Sequence, residues 1–572
     1  MLTAPDGTIP PAVVVREHRK EVRADLPDLR IGRRTLNPRL RATGQFPTTI
    51  ELSTTVSYKS RIHGHSVSSS HVVVDNTWFE LDGHATRCIN SALEAAEVSL
   101  GRITGAVLIE LMTDPSLVDL LDDEVDRSQL HSLHSSQDSA ILQIPDLEAD
   151  LYPYQQTGVG VLRTLEMADL GALLADEMGL GKTVQAIALL CTLNRGTRSL
   201  VVAPGSLLEN WTREFAQFAP NLTVERHHGA DRKRMPAEIP QTDVLLTTYD
   251  TALNDVAFLE EVHFDLVVLD EAQYIRNPES QRARALKRLD RRISLAVTGT
   301  PVENTLRDLW SISEFVIPGL LGRLDSFLDE FPDETQTAEV LGKIMSPITV
   351  RRLVAEVADD LPDKIDVLRP FRLDEESMNA YLAAEAAGTE FETTTARRVI
   401  CAHAQEILPP DYGSTEKNEY VLMQLEQIFS RQEKALIFAP FRNALTRLRD
   451  LLNEKFPLPY AEIIDGNTPA DERQSIIDSF STGHATGALL LNPAAAGVGL
   501  NITSANHVFH YSPNFNPATT KQATARAFRR KQERTVFVHH LFYVDTVEER
   551  AVQIADFKQA LADHVDKGIE EL

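Results

Sequence analysis

Twice along this chain, short apolar runs alternate with stretches of helical periodicity, and this repeated alternation limits the fold more than any other feature. The first series is GALLAD (171–176), SLVVAP (199–204), DVLLTTY (243–249), FDLVVLDEA (264–272) and RISLAVTGT (292–300). The second is KALIFAP (434–440), AEIIDG (461–466), GALLLNP (487–493), HVFHYSP (507–513) and TVFVHHL (535–541). Runs this short, apolar on both faces and separated by helices are the mark of βαβ units around buried parallel sheets. Two such series predict two α/β lobes, with a mainly helical stretch between them from about Leu306 to Arg431.

The predicted fold is α/β: two tandem parallel-sheet lobes with helical insertions, preceded by a small α+β N-terminal domain. The expected divisions are a basic, irregular segment over 1–45, the α+β domain over 46–112, an acidic serine-rich linker over 113–149, lobe one over 150–366 and lobe two over 367–572. Pro10, Pro11 and Pro38 argue against helix in the first segment. In the α+β domain, TTIELSTTVSY (48–58) and HVVVDNTWFEL (71–81) read as strands. Ile89, Leu93, Ala96 and Leu100 then share one helical face.

The net charge of −26, from 57 Lys+Arg against 83 Asp+Glu, argues against coating nucleic acid by charge alone. A phosphate-gripping groove needs only local cations, and Lys521–Arg534 supplies a cluster. Cys88, Cys191 and Cys401 lie far apart, so neither a disulfide framework nor a cysteine zinc site is expected. His63, His65, His71 and His84 lack convergent metal-ligand spacing and read as strand or surface residues, and Trp78 as core. No apolar run suggests a membrane span, so a cytoplasmic protein is expected.

The run Asp176–Thr183 (DEMGLGKT) follows an apolar strand and precedes the helical stretch VQAIALLCTL. That is the context a phosphate-binding loop requires. Gly179 and Gly181 let backbone N–H groups converge on phosphate oxygens, Lys182 reaches the β- and γ-phosphates, and Thr183 offers a hydroxyl to magnesium. Asp270 and Glu271 end a buried strand, where ligands of open α/β sheets bind. Asp270 is expected in the metal shell, and Glu271 as the group that orients or deprotonates the attacking water.

These residues resemble superfamily two helicase-fold ATPases, and specifically the short, prokaryotic-type Swi/Snf-like branch with two RecA-like lobes. The resemblance runs from about Leu151 to Glu549 and is ordered. It implies that Gln155, in Leu151-Tyr152-Pro153-Tyr154-Gln155, reads adenine. Pro204, Asn210, Trp211 and Thr248 take the positions of DNA-contacting motifs in lobe one. Thr298 and Thr300, in the TGTPxEN element that ends on Glu303-Asn304, couple hydrolysis to lobe movement, and Arg351-Arg352 opens the RR…LPxK segment. In lobe two, Gly499 contributes to the nucleotide site, and Asn501 and Phe515 to the DNA site. Gln522, Arg526 and Arg529 fit QAxxRxxR, whose two arginines act as fingers on the γ-phosphate.

Lobe two departs from the family pattern at Asn492-Pro493-Ala494-Ala495-Ala496, at Asn514-Phe515 and at Phe528-Arg529-Arg530-Lys531-Gln532. The implied activity is an ATP- and Mg²⁺-dependent double-stranded DNA translocase that displaces or remodels DNA-bound complexes, in genome defence or repair. Two alternatives stay open: an ATP-gated DNA clamp or recruiter with weak turnover, and an RNA polymerase-associated recycling ATPase. A protein partner is expected in either setting: a nuclease, another defence or repair component, or RNA polymerase.

Overall fold

The computed structural model describes residues 29–46, 49–67, 69–96, 98–112, 114–117, 119–126, 144–194, 196–230, 232, 242–357, 361–384, 389–403, 415–456, 460–483, 486–493, 502–529 and 532–570. The basic residues before 29, His131 and His134, the GVGLN stretch with Gly499 and Asn501, and Arg530-Lys531 lie outside the described residues.

The N-terminal unit is larger than its sequence suggests. Pro38–Gln45 is a strand, antiparallel to Thr49–Tyr58 and parallel to Leu121–Asp126. Pro38 is its first residue, where a missing N–H is tolerated, and Leu40 and Ala42 point into the core. The expected irregular segment over 1–45 therefore gives way to strand structure from Arg30 onward, and the expected linker over 113–149 begins with a strand that belongs to this sheet. HVVVDNTWFEL is two strands, His71–Val74 and Thr77–Glu80, turning on Asp75 and Asn76 at positive φ. The helix Gly83–Ala95 buries Ile89 and Leu93, and Trp78 is core.

Lobe one is a seven-stranded sheet, ordered Val224–His227, Val244–Thr248, Ser199–Ala203, Phe264–Asp270, Arg291–Val297, Ala172–Leu174 and Thr349–Val350, with every pair parallel. Lobe two is six-stranded and also parallel: Lys364–Phe371, Val536–Tyr543, His507–His510, Lys434–Phe438, Gly487–Leu491 and Tyr460–Ile464. All ten apolar runs become strands: nine are inner strands, where a two-faced sheet needs unbroken apolar sequence, and Tyr460–Ile464 is a half-buried edge. Lys364–Phe371 places the start of lobe two a few residues before the expected 367.

The C-terminal helix, Val547–Glu570, leaves lobe two and packs on lobe one. Its Leu561, Val565 and Ile569 join the core there beside Ala338, Leu341 and Met345 of the Thr335–Met345 helix. Gly342 and Gly568 permit the crossing: a Cβ on Gly342 would overlap the Val565 carbonyl, and one on Gly568 the Glu339 carbonyl. Asp566 accepts from Arg351 at 2.7 Å, and the Ser346 hydroxyl donates to the Ile569 carbonyl at 2.8 Å. Gly568→Val should lower thermal stability by about 1–3 kcal/mol, the usual cost of overpacking, as read by the unfolding midpoint. Among the described residues, no helix is long and apolar enough to cross a membrane.

Candidate functional site

The strand Ala172–Leu174 runs into a loop that ends on the helix Lys182–Thr192. Gly179 and Gly181 adopt φ of +91° and +76°, a region closed to most side chains. Gly181 is the N-cap and no side chain caps the helix, so its first N–H groups are free to meet an anion, as the helix dipole also favours. The loop rests on a buried network. Arg352 clamps the Asp176 carboxylate, Nε to Oδ1 at 2.8 Å and Nη2 to Oδ2 at 2.5 Å, and Gln185 donates to the same Oδ2 at 2.8 Å.

Gln155 is almost fully buried beneath this loop. Its amide nitrogen donates to the Leu180 carbonyl at 3.0 Å, and its oxygen accepts from the Tyr152 N–H at 3.0 Å. In this arrangement it supports the loop and presents no open edge to a base, contrary to the sequence expectation. Beside it Leu180, Val354, Tyr154, Leu361 and Phe528 form an apolar shelf from both lobes that could take a planar ring.

Lys182 donates to the carbonyls of Asp176 at 2.9 Å and Glu177 at 3.3 Å. Burial lowers its pKa, while Glu271, Asp176 and Asp270 oppose that shift. Asp270 ends its strand, and Glu271 follows in the left-handed region at φ 53°, ψ 54°. A non-glycine residue there stores about 1–3 kcal/mol and is characteristic of active sites. Glu271 accepts from Gln273 at 2.7 Å, and Gln273 accepts from the Thr298 hydroxyl at 2.7 Å. The Thr300 N–H in turn donates to Thr298 at 3.1 Å. A continuous path thus joins the TGT element to the acid. Burial, then the Glu271 charge, raise the Asp270 pKa. The Thr183 hydroxyl and the Asp270 carboxylate are hard oxygen donors that suit a magnesium ion.

Lobe two reaches this point directly. A Cβ on Gly179 would lie 3.5 Å from the Arg529 Cβ. Burial pushes the Arg526 guanidinium down to about 10, with Arg529 adding to the shift and Glu271 opposing it. Arg529 is lowered by burial, and Glu214 opposes that shift. Gln522, on the Pro517–Thr524 helix, lines an interlobe cleft of about 690 Å³ together with Glu271, Gln273, Arg276, Glu303 and Pro204. Across the cleft Asn516 donates to Glu303 at 3.2 Å.

The expected DNA-contacting residues divide. Pro204 faces the cleft, and Asn210 is exposed, donating to Glu214 at 2.7 Å. Trp211 does not face a track: it is 1% exposed, and its indole N–H donates to Asp270 Oδ2 at 2.7 Å. Thr248 is buried as the N-cap of Tyr249–Asn254, its hydroxyl exchanged with Thr251. The causes differ: Trp211 sits on the inner face of a helix whose outer face is polar, whereas Thr248 ends a central strand that is buried at every position. Phe515 packs under Arg398 at 5.3 Å, and its carbonyl accepts from Lys558 at 2.9 Å. The sequence places Gln273 in the Asp270-Glu271-Ala272-Gln273 run but assigns a role neither to it nor to the Trp211 indole N–H. Gln273 lay visible in DEAQ, whereas nothing local links residues 59 apart.

The chain is similar in sequence to known proteins along most of its length. The SNF2-related domain model matches residues 154–455, and the helicase conserved C-terminal domain model matches 417–531. YwqA of Bacillus subtilis, whose name designates an ATP-dependent helicase/translocase, is 33% identical over 74% of this chain and 49% of its own length. The Zorya protein ZorD of Escherichia coli is 32% identical over 72% of this chain and 44% of its own. The chain thus spans about half the length of the curated relatives it matches. The SWI2/SNF2 ATPase core of Sulfolobus solfataricus in complex with dsDNA is 33% identical, covering 74% of this chain and 94% of that one, with a TM-score of 0.40.

Proposed function

Because the chain belongs to the SNF2-related family of ATP-hydrolysing helicase-fold enzymes, we propose that it hydrolyses ATP between its lobes and uses their motion to travel along double-stranded DNA, displacing or remodelling what is bound there. The observation that carries this reading is that Arg529 of lobe two lies against the Gly179 turn of lobe one, with Arg526 within electrostatic reach of Glu271, an arrangement that neither lobe supplies alone. The N–H groups of the loop and Lys182 grip the phosphates, and Glu271 orients the attacking water and takes its proton. A magnesium ion held by Thr183 and Asp270 would neutralise phosphate oxygens as charge builds on the transferring group. Arg526 and Arg529 arrive from the other lobe, so hydrolysis depends on closure, and the Thr300–Thr298–Gln273 path carries the state of the acid outward.

DNA as track is supported by the family and by the helicase/translocase name of YwqA. It also fits the cleft, where polar Asn492, Asn514 and Ser206 lie near Arg276 and Arg282. A role in genome defence or repair rests on family resemblance alone. One feature favours the clamp reading: Lys558 ties Asn304 of lobe one, at 2.8 Å, to the altered Phe515 segment of lobe two.

A steady-state ATPase titration with duplex, single strand and RNA decides between them. A motor on duplex DNA gives severalfold stimulation by duplex above the other two, and the stimulation falls as salt rises, because phosphate contacts release counterions. Tight duplex binding with unchanged turnover selects the clamp. Equal turnover without duplex binding overturns both.

A further inference from the structure

We propose that Trp211 is a positioning residue, whose indole N–H fixes the Asp270 carboxylate in the orientation that receives magnesium and ties that carboxylate to the Leu208–Phe218 helix. The inference rests on the ATP-site reading above. Asp270 Oδ1 accepts from the Glu271 N–H at 2.9 Å, and Oδ2 from Trp211 at 2.7 Å. Each oxygen therefore has one donor, and both donors belong to lobe one. A carboxylate offers about four acceptor sites, so two remain for a metal shell, with the plane of the group already set. Without the indole, Oδ2 would be a buried oxygen held by nothing, free to turn about the side chain.

A buried tryptophan needs an acceptor somewhere, and a backbone carbonyl would serve packing alone. Here the acceptor is the strand-end acid 59 residues away, beside Lys182 and Glu271. The same helix carries exposed Asn210, while Glu214 lies within electrostatic reach of Arg529. One rigid element thus contacts the metal carboxylate through one face and approaches the lobe-two finger through another. The ring itself is anchored against Phe215 at 5.6 Å, so its position is set by packing that a phenyl group can largely preserve.

The test compares the full-length chain with Trp211→Phe, which keeps an aromatic ring and removes the donor. Binding of a fluorescent ADP analogue is followed by anisotropy while Mg²⁺ is titrated, with direct excitation of the analogue's own fluorophore. The expected result is a roughly tenfold rise in the Mg²⁺ concentration needed for half-maximal effect, in keeping with the tenfold to hundredfold cost of losing an outer-shell partner. Metal-free ADP affinity should stay within error of the parent, while the melting midpoint should fall, because the smaller ring leaves a gap and Oδ2 loses its donor. An unchanged Mg²⁺ requirement overturns the inference. Failure of the parent chain to bind the nucleotide at all, with or without Mg²⁺, overturns the ATP-site reading itself. Should Trp211→Phe not fold, the ¹⁵N-tryptophan-labelled native chain answers the same question. Its indole signals are assigned by Trp78→Phe and Trp310→Phe, and the Trp211 N–H should shift when Mg²⁺ joins bound ADP. A Trp211 signal indifferent to Mg²⁺ counts against the role.

Discussion

Lys182→Ala is expected to reduce ATP turnover by at least about 10²–10³-fold, the range seen when a preorganised group stabilising transition-state charge is removed. The ammonium sits at the mouth of the loop, held by the carbonyls of Asp176 and Glu177 and within reach of Asp270 and Glu271. Alanine leaves the apolar core beneath untouched, because the loop is held from below by Arg352, Gln185 and Gln155. The circular dichroism spectrum and melting midpoint should therefore match the parent. A Lys182→Ala protein that turns over ATP at the parental rate places the nucleotide elsewhere.

Glu271→Gln is expected to be comparably severe but different in kind. Turnover should fall by about 10²–10⁴-fold, the contribution of a positioned general base. Nucleotide affinity should be kept, because Lys182, Thr183 and the loop N–H groups are intact. Glutamine is isosteric and can still accept from Gln273, so the left-handed turn at position 271 survives. The ADP-analogue titration and the ATPase assay together read the split. Loss of affinity and turnover in equal measure would mean that Glu271 serves binding and not chemistry.

Much of this was legible in the sequence where the physics is local. A strand buried on both faces must be apolar throughout, so the inner runs from GALLAD to TVFVHHL emerge as strands without long-range information. A loop that curls around phosphate needs glycines at positive φ, and Gly179 and Gly181 have them. Edge elements were harder: Thr349–Val350 has two residues, and Val224–His227 is polar on one face. Pro38 argues against helix and none forms there, but it does not exclude a strand, which proline opens without penalty.

What could not be read were partnerships between distant segments. The amphipathic pattern of Val547–Glu570 gives it a buried face but not the lobe against which to bury it, and it crosses back to lobe one through Gly342 and Gly568. The two motifs that contain Trp211 and Thr248 resemble a DNA-contacting surface, yet burial assigns both residues to the interior. Gln155 is likewise spent on the loop at Leu180. In each case the residue's neighbourhood was identifiable, and the direction of its side chain was decided by packing across the lobe.

The meeting of two lobes around one nucleotide is tested most directly by a transition-state analogue, ADP with aluminium fluoride, on Arg526→Ala. The mutation leaves Lys182, Asp270 and Glu271 in place and removes a lobe-two guanidinium that lies within electrostatic reach of Glu271. The parent should hold Mg·ADP–aluminium fluoride far more tightly than Mg·ADP, whereas Arg526→Ala should bind the two about equally while keeping parental affinity for Mg·ADP. An Arg526→Ala chain that still traps the analogue as tightly as the parent contradicts the account.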